Sequence, residues 1–200
     1  IIWIDEIEKV FSEGIGNEKR LFGRLLTIIN DLNTDTGYKM DAFFWVTANN
    51  IKQIMQNNPE FLRRGRFDEL FFVEAPSKFE VKEIISIYIK KYGINYTGNL
   101  IEKIERTANN IYYKLAAREG DIEGTTFIYT PAEIEQVCKE LGRIQKVRQK
   151  TEGKEMITDE DIEKTIKRIK PIVLAMGDAI TNMRSQKDNF IVANKISEED

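Results

Sequence analysis

"IIWIDEIEKVF", residues 1–11, begins with four consecutive apolar residues and then turns acidic. A short apolar run without alternation, ended by acids, is typical of a central strand in a parallel sheet that is buried on both faces. The run AFFWVTANN at residues 42–50 has the same character and ends in amides. We therefore expect two central strands here, with Trp3 and Trp45 on them and buried.

A helical stripe of apolar residues at 18–32 separates these two runs, and a third run, ELFFVEAP, follows at 69–76. Strands that alternate with helices predict an α/β fold with a parallel sheet. After Pro76 the pattern is helical only, so the expected fold class is α/β followed by all-α. The expected domains are an α/β piece at 1–76, a helical domain at 77–176 and a helical tail at 177–200.

Three helices of the second half have explicit start signals. Each signal is a capping box, in which Ser or Thr is followed three residues later by an acid. The pairs are Ser77 with Glu80, Thr130 with Glu133, and Thr158 with Asp161. A further helix is expected at about residues 100–117, and Cys138 is expected in the core because it lies on an apolar helix stripe.

Composition excludes several classes of function. The 200 residues carry a net charge of -3, which argues against a general nucleic-acid or membrane-surface binder. The chain has no histidine, which excludes His-based catalysis and His-ligated metal. No apolar run approaches the ~20 residues that span a bilayer. The single cysteine rules out an intrachain disulfide and fits a reducing compartment, so we expect a cytoplasmic protein.

Polar residues follow the predicted strands at the edge where open α/β sheets bind ligands. Asp5 and Glu6 follow the first strand, and Asn49 and Asn50 end the second. Two acids at a strand tip could hold Mg²⁺ and orient a water, although acids that favour a helix dipole give the same pattern. Amides there could bind a phosphate or be ordinary cap and turn residues.

Three arginines lie in NPEFLRRGRFDE, residues 58–69, just before the third run; they are Arg63, Arg64 and Arg66. Arginine is always charged and fork-shaped, so it suits the stabilisation of a transferred phosphoryl group. Taken by itself, the segment is equally typical of a solvated turn in which Asp68 or Glu69 pairs with an arginine.

The order of these segments resembles the AAA ATPases. IIWIDEIEKVF is similar to their Walker B segment, FFWVTANNI to their sensor-1 strand, NPEFLRRGRFDELFFVEAP to their second region of homology, and FIYTPAEIEQVCKEL to their lid-helix segment. Within the branch that includes FtsH and the proteasomal ATPases, the chain most resembles the stand-alone AAA ATPases of cyanobacteria and plastids. The resemblance implies the C-terminal half of a P-loop NTPase parallel-sheet core plus a helical lid domain.

The resemblance also implies roles for single residues. Asp5 would bind Mg²⁺ through water, and Glu6 would be the base for the hydrolytic water. Asn49 would sense the γ-phosphate of ATP, with Asn50 as the alternative if the register differs by one. The arginines at 63 and 66 would be arginine fingers that reach the ATP of the neighbouring subunit. The implied assembly is a homo-oligomeric ring, a hexamer, that remodels a protein partner.

Departures from the family pattern leave alternatives open. The 200 residues contain no G-x-x-x-x-G-K-[ST] phosphate loop, so we expect the Walker B-to-lid portion of a larger ATPase, inactive by itself. Arg64 replaces the usual proline, and Pro131 replaces the usual glycine of the lid segment. A second interpretation is a hydrolysis-deficient interaction subunit that lends its arginines to a neighbour. A third is a nucleic-acid-directed ATPase, which the acidic balance disfavours.

Overall fold

The structure is a computed structural model that describes residues 1–10, 17–32, 42–57, 66–116, 129–176, 182, 184, 185, 187 and 190–194. The chain divides into two compact units, Ile1–Leu70 and Phe71–Asp200. None of the helices in these described residues combines the length and the apolar character that crossing a bilayer requires. Each unit is described below by itself.

The described elements alternate between strands and helices in the first unit and are mainly helical in the second. In the first unit they are β1 (Ile2–Ile4), a 3₁₀ helix (Ile7–Val10), α1 (Asn17–Leu32), β2 (Phe44–Val46) and α2 (Ile51–Asn57). In the second they are β3 (Phe71–Phe72), α3 (Lys78–Tyr92), α4 (Leu100–Ala116), α5 (Pro131–Glu152), α6 (Asp159–Arg168), a second 3₁₀ helix (Ile172–Leu174) and β4 (Ile191–Val192).

The first unit is built on a parallel pair of strands, β1 and β2, with Ile4 beside Val46 in the register. A small core of Ile7, Leu26 and Ile54 packs against one face of this pair. These residues come from the first 3₁₀ helix, α1 and α2. The helix predicted from the apolar stripe, α1, thus covers one side of the sheet together with two helices that were not predicted. The parallel α/β arrangement that the sequence predicts is present here.

The prediction that both faces of these strands are buried is wrong. Trp3 is 70% exposed and Trp45 53% exposed. The two residues are register partners, so they share one face of the pair, while Ile4 and Val46 share the other. The reason is that the described elements of this unit pack only against the face of Ile4 and Val46.

The third apolar run forms a shorter strand than expected, and its partner is different. Phe71–Phe72 pairs in parallel with Ile191–Val192, in a sheet separate from β1 and β2. Asn194 continues the contact beyond the paired residues, because its side-chain oxygen accepts a hydrogen bond from the Glu74 backbone N–H at 2.7 Å. A tail that the sequence predicted to be helical therefore contains a strand at 191–192, which long-range pairing creates.

The helices of the second unit begin where the sequence signals place them. All three capping boxes are present, at Ser77, Thr130 and Thr158. Helix α4 covers the range predicted at about 100–117 to within one residue. Cys138 is fully buried, as its place on the helix stripe predicted. Local sequence signals therefore predicted where these helices begin.

Polar side chains join the helices of the second unit inside its core. Buried Gln145 of α5 accepts a hydrogen bond from the Asn95 backbone at 2.6 Å and donates to the Gly93 carbonyl at 2.8 Å. Gly93 has a left-handed φ of 63° and ends α3. The Tyr112 hydroxyl donates to the Ile166 carbonyl near the end of α6. These bonds satisfy backbone groups at helix ends that burial would otherwise leave unpaired.

Candidate functional site

The candidate site lies at the edge of the first unit where β1 and β2 end. Because the strands are parallel and Ile4 pairs with Val46, the residues that follow each strand meet at this edge. Two backbone hydrogen bonds continue the pairing past the strands: Thr47 donates to the Ile4 carbonyl at 3.0 Å, and Ile7 donates to the Thr47 carbonyl at 2.9 Å. This backbone frame places Asp5 and Glu6 beside Thr47.

Thr47 links the two acids, and the sequence reasoning did not single it out. Its hydroxyl donates to the Asp5 carboxylate at 2.5 Å and accepts a hydrogen bond from the Glu6 backbone N–H at 2.9 Å. One hydroxyl thus uses both its donor and its acceptor capacity to fix the turn after β1. The available signal was a hydroxyl residue directly after the second apolar run, level with the acids in the predicted sheet.

Asn49 contacts Glu6 and also Glu8, which lies in the 3₁₀ helix that follows Glu6. Its side-chain amide nitrogen donates to Glu6 Oε1 at 3.0 Å. Its backbone N–H donates to Glu8 Oε1 at 2.9 Å. An ionised carboxylate only accepts hydrogen bonds, so the nitrogen rather than the oxygen of the Asn49 amide faces Glu6. Asn50, the alternative position, directly precedes α2, and its carbonyl accepts a hydrogen bond from the Ile54 N–H.

Glu6 has an uncommon backbone conformation. Its φ is 50°. Among the residues that the structure describes, no other non-glycine residue has a positive φ. Left-handed backbone is costly for a residue with a Cβ atom, and such residues are concentrated at functional sites. Thr47 therefore holds Glu6 in a strained backbone conformation, and this conformation sets the orientation of the Glu6 side chain.

Lys9 places a positive charge beside this group of acids. It forms an ion pair with Glu6, whose side chain is 36% exposed. Hydrogen bonding to Glu6, and the charges of Glu6, Glu8 and Asp5, raise the pKa of Lys9. Lys9 is therefore positively charged at neutral pH and offsets part of the negative charge at the edge of the sheet.

The oxygen atoms at this edge suit a hard cation that keeps most of its coordinated water molecules. Asp5, Glu6 and Thr47 all present oxygen atoms, which Mg²⁺ prefers. Within the described parts of the chain, no cluster of three or more His, Cys, Asp or Glu residues could enclose a metal ion. Mg²⁺ in phosphoryl-transfer sites keeps several waters and takes one or two carboxylates plus substrate phosphates. The residues present fit that kind of ion.

The arginine segment is only partly within the described residues. Arg66 is half-buried, and the next residue, Phe67, packs against the core of the first unit. Phe67 thus anchors the described end of the segment in this core. Arg63 and Arg64 lie outside the described residues, so their predicted positions stay predictions.

A carboxylate pair and an amide thus lie at the shared end of two parallel strands, the edge at which open α/β sheets bind ligands. The sequence profile of the family described as "ATPase family associated with various cellular activities (AAA)" matches residues 1–75. Over these residues, which include the whole candidate site, the chain belongs to the AAA family.

Curated relatives extend the similarity into the second unit. "Uncharacterized AAA domain-containing protein ycf46" of Guillardia theta is 38% identical over 96 residues, which are 46% of this chain and 17% of the relative. "Proteasome-activating nucleotidase" of Sulfurisphaera tokodaii is 30% identical over 149 residues, 72% of this chain and 32% of the relative. "ATP-dependent zinc metalloprotease FtsH" of Rhodothermus marinus is 29% identical over 177 residues, 84% of this chain and 21% of the relative. The chain spans a third or less of the length of each.

Proposed function

We propose that this chain is part of an AAA motor that hydrolyses ATP and uses the energy to remodel a protein partner. The observation that carries the proposal is the contact between the Glu6 carboxylate and the Asn49 amide, 3.0 Å apart at the end of two parallel strands. A carboxylate beside an amide can bind one water molecule between a base and a hydrogen-bond donor. Such an arrangement suits an attack of water on a phosphoryl group.

Each residue at the edge of the sheet has a distinct role in this proposal. Asp5, oriented by Thr47, holds Mg²⁺ through water, and the ion supplies charge neutralisation to the phosphates of ATP. Glu6 accepts a proton from the attacking water. Asn49 holds Glu6 in place and contacts the γ-phosphate.

The arginines act on a different nucleotide in this proposal. Arg63 and Arg66 reach the ATP bound by a neighbouring copy of the chain, where they stabilise the charge of the transferred phosphoryl group. A contact of this head-to-tail kind closes into a ring, for which we propose six subunits. Two relatives are named for proteasome activation and for metalloprotease activity, which supports a protein as the remodelled substrate. We also propose a cytoplasmic location.

ATP binding needs a phosphate loop that these 200 residues do not contain. We propose that the gene product that carries residues 1–200 also carries this loop on the N-terminal side of Asp5. All activity experiments below use that gene product.

The substitution Glu6→Gln tests the catalytic assignment. Glutamine keeps the shape and can still accept the Asn49 hydrogen bond, but it cannot take a proton from water. We expect ATP turnover to fall by about 10²–10⁴-fold, while ATP stays bound and can be recovered from the purified protein. Turnover at the wild-type rate would show that Glu6 is not the base.

A second candidate function is favoured by the lack of the phosphate loop in these residues. In this alternative the protein does not hydrolyse ATP, and it lends Arg63 and Arg66 to an active AAA neighbour. The two functions differ in a direct assay. The motor hydrolyses ATP as a purified homo-oligomer, whereas the interaction subunit is inactive by itself and raises the activity of a second AAA protein.

A further inference from the structure

Glu8 lies two residues after Glu6, in the first 3₁₀ helix, and faces the same asparagine from another direction. Its Oε1 atom accepts a hydrogen bond from the Asn49 backbone N–H at 2.9 Å. Glu6 Oε1 accepts one from the Asn49 side chain at 3.0 Å. Two carboxylates from one short segment thus accept hydrogen bonds from both the backbone and the side chain of a single residue that lies just beyond β2.

This double contact restricts Asn49 more than either bond does alone. The bond to Glu8 fixes the backbone just beyond β2, where strand pairing has ended. Once the backbone is fixed, the Asn49 side chain has few rotamers that still reach Glu6. A carboxylate acceptor also makes the backbone hydrogen bond stronger than a neutral acceptor would.

The Glu8 carboxylate carries a cost in folding stability. Its second oxygen, Oε2, is buried and has no hydrogen-bond partner among the described residues. A buried, unsatisfied carboxylate oxygen is destabilising. An apolar residue would avoid that cost, and residues that break such local rules are concentrated at functional sites.

We propose that Glu8 is a positioning residue for ATP hydrolysis: it fixes the Asn49 backbone so that the Asn49 amide stays on Glu6. The inference rests on the proposed ATPase function. Glu8 does not touch the nucleotide, and it acts on the reaction through Asn49. Its loss therefore lowers kcat and changes the KM for ATP much less, because only one of the proposed phosphate contacts, that of Asn49, depends on Glu8.

The test compares Glu8→Met, Glu8→Ala and Glu8→Gln by steady-state ATP hydrolysis. Methionine keeps the unbranched stem without the acceptor oxygen, and it serves if the alanine variant does not fold. We expect kcat to fall about 10–100-fold for loss of one charge-assisted hydrogen bond, with the KM within about twofold. Glu8→Gln retains an acceptor oxygen and restores most of kcat. Glu160→Ala removes an exposed carboxylate that pairs with Lys164 in the other unit and is the matched control.

A double-mutant cycle with Asn49→Ala separates positioning from a general structural role. If Glu8 acts through the Asn49 side chain, Glu8→Met has little further effect on kcat once that side chain is gone. Additive losses, or wild-type kcat in Glu8→Met, would overturn the proposal. If instead Glu6→Gln hydrolyses ATP normally, the proposed function itself fails, and that result is independent of Glu8.

Discussion

Thr47 shows how much of the site depends on one hydroxyl group. It joins the Asp5 carboxylate to the Glu6 backbone, and it directly follows β2, which like β1 is only three residues long. Without it, the Glu6 backbone, which is held at a positive φ, loses its hydrogen bond to the segment after β2. The residue therefore matters both to the stability of the first unit and to the direction of the base.

The substitution Thr47→Val keeps the shape of the side chain and removes both hydrogen bonds. We expect the first unit to lose about 1–3 kcal/mol of unfolding free energy, because the Asp5 bond is charge-assisted. Both tryptophans of the chain, Trp3 and Trp45, lie in this unit, so urea unfolding followed by tryptophan fluorescence measures it. Thr47→Ser is the control and should stay near wild type. Equal stability of the valine and serine variants would contradict the role of the hydroxyl.

The ion pair between Arg148 and Asp161 makes the stability of the second unit depend on pH in the acid range. Arg148 binds Asp161 through two hydrogen bonds, of 2.5 and 2.8 Å, and these lower the pKa of Asp161 to about 2. A carboxyl whose pKa is depressed on folding stabilises the folded state above its unfolded pKa of about 3.9. That stabilisation disappears as the pH falls from about 4 to about 2.

The substitution Arg148→Met should therefore cost about 1–2 kcal/mol of stability at pH 7 and much less at pH 2. Thermal unfolding followed by far-ultraviolet circular dichroism at pH 7, 4 and 2 measures the difference. Lys164→Met, which breaks an exposed pair with Glu160, is the control and should change stability by less than about 0.5 kcal/mol. A loss that is the same at all three pH values would show that Arg148 acts by packing.

Sequence patterns predicted that Asp5, Glu6 and Asn49 meet at this edge of the sheet, but they did not reveal the residues that hold them there. Asp5, Glu6 and Asn49 were predicted because each follows an apolar run, and parallel strands bring such residues to one edge. Thr47 and Glu8 were missed because their contacts depend on the exact register of β1 and β2 and on the φ of Glu6. Neither quantity can be obtained from the spacing of residues along the chain.

At the scale of elements, the local signals succeeded, whereas of the two long-range strand pairings only the parallel pair β1–β2 was expected. A capping box needs only two residues three positions apart, and all three predicted boxes are present. The partner of β3 lies about 120 residues further along the chain, and its strand has only two residues. An apolar run predicts that a strand forms, but it does not predict which strand lies beside it.

Two glycines in helices predict opposite effects of the same substitution. A Cβ atom at Gly142 in α5 would lie 3.1 Å from the Tyr92 Cβ atom and 3.3 Å from its carbonyl oxygen, whereas one at Gly23 in α1 meets nothing within 4 Å. Gly142→Ala should destabilise the second unit by about 1–3 kcal/mol, because α3 and α5 cannot approach as closely. Gly23→Ala should stabilise the first unit by about 0.5–1 kcal/mol through helix propensity.

Chemical denaturation of both variants measures this pair of effects, with tryptophan fluorescence for the first unit and circular dichroism for the helical second unit. A stabilising Gly142→Ala would mean that α3 and α5 are not in the close contact described here.

At the scale of the whole molecule, family membership was accessible from sequence, whereas assembly was not. The Asp-Glu pair, the amide and the arginine segment follow one another in a fixed order, and the AAA profile covers the same residues. A ring depends on contacts between copies, and a single chain contains only one side of each contact. The proposal that Arg66 serves a neighbouring copy therefore needs an experiment on the assembly.

The measurement that tests the central claim mixes two inactive variants, Arg66→Ala and Glu6→Gln, and follows ATP turnover. Each variant alone should lose most of its activity, since an arginine finger contributes about 10³–10⁵-fold to the rate. In a mixed ring, an intact Glu6 from one copy meets an intact Arg66 from the next at up to about one quarter of the interfaces. We predict that the mixture regains up to that fraction of wild-type turnover. A mixture no more active than the two variants measured separately would contradict a site shared between copies.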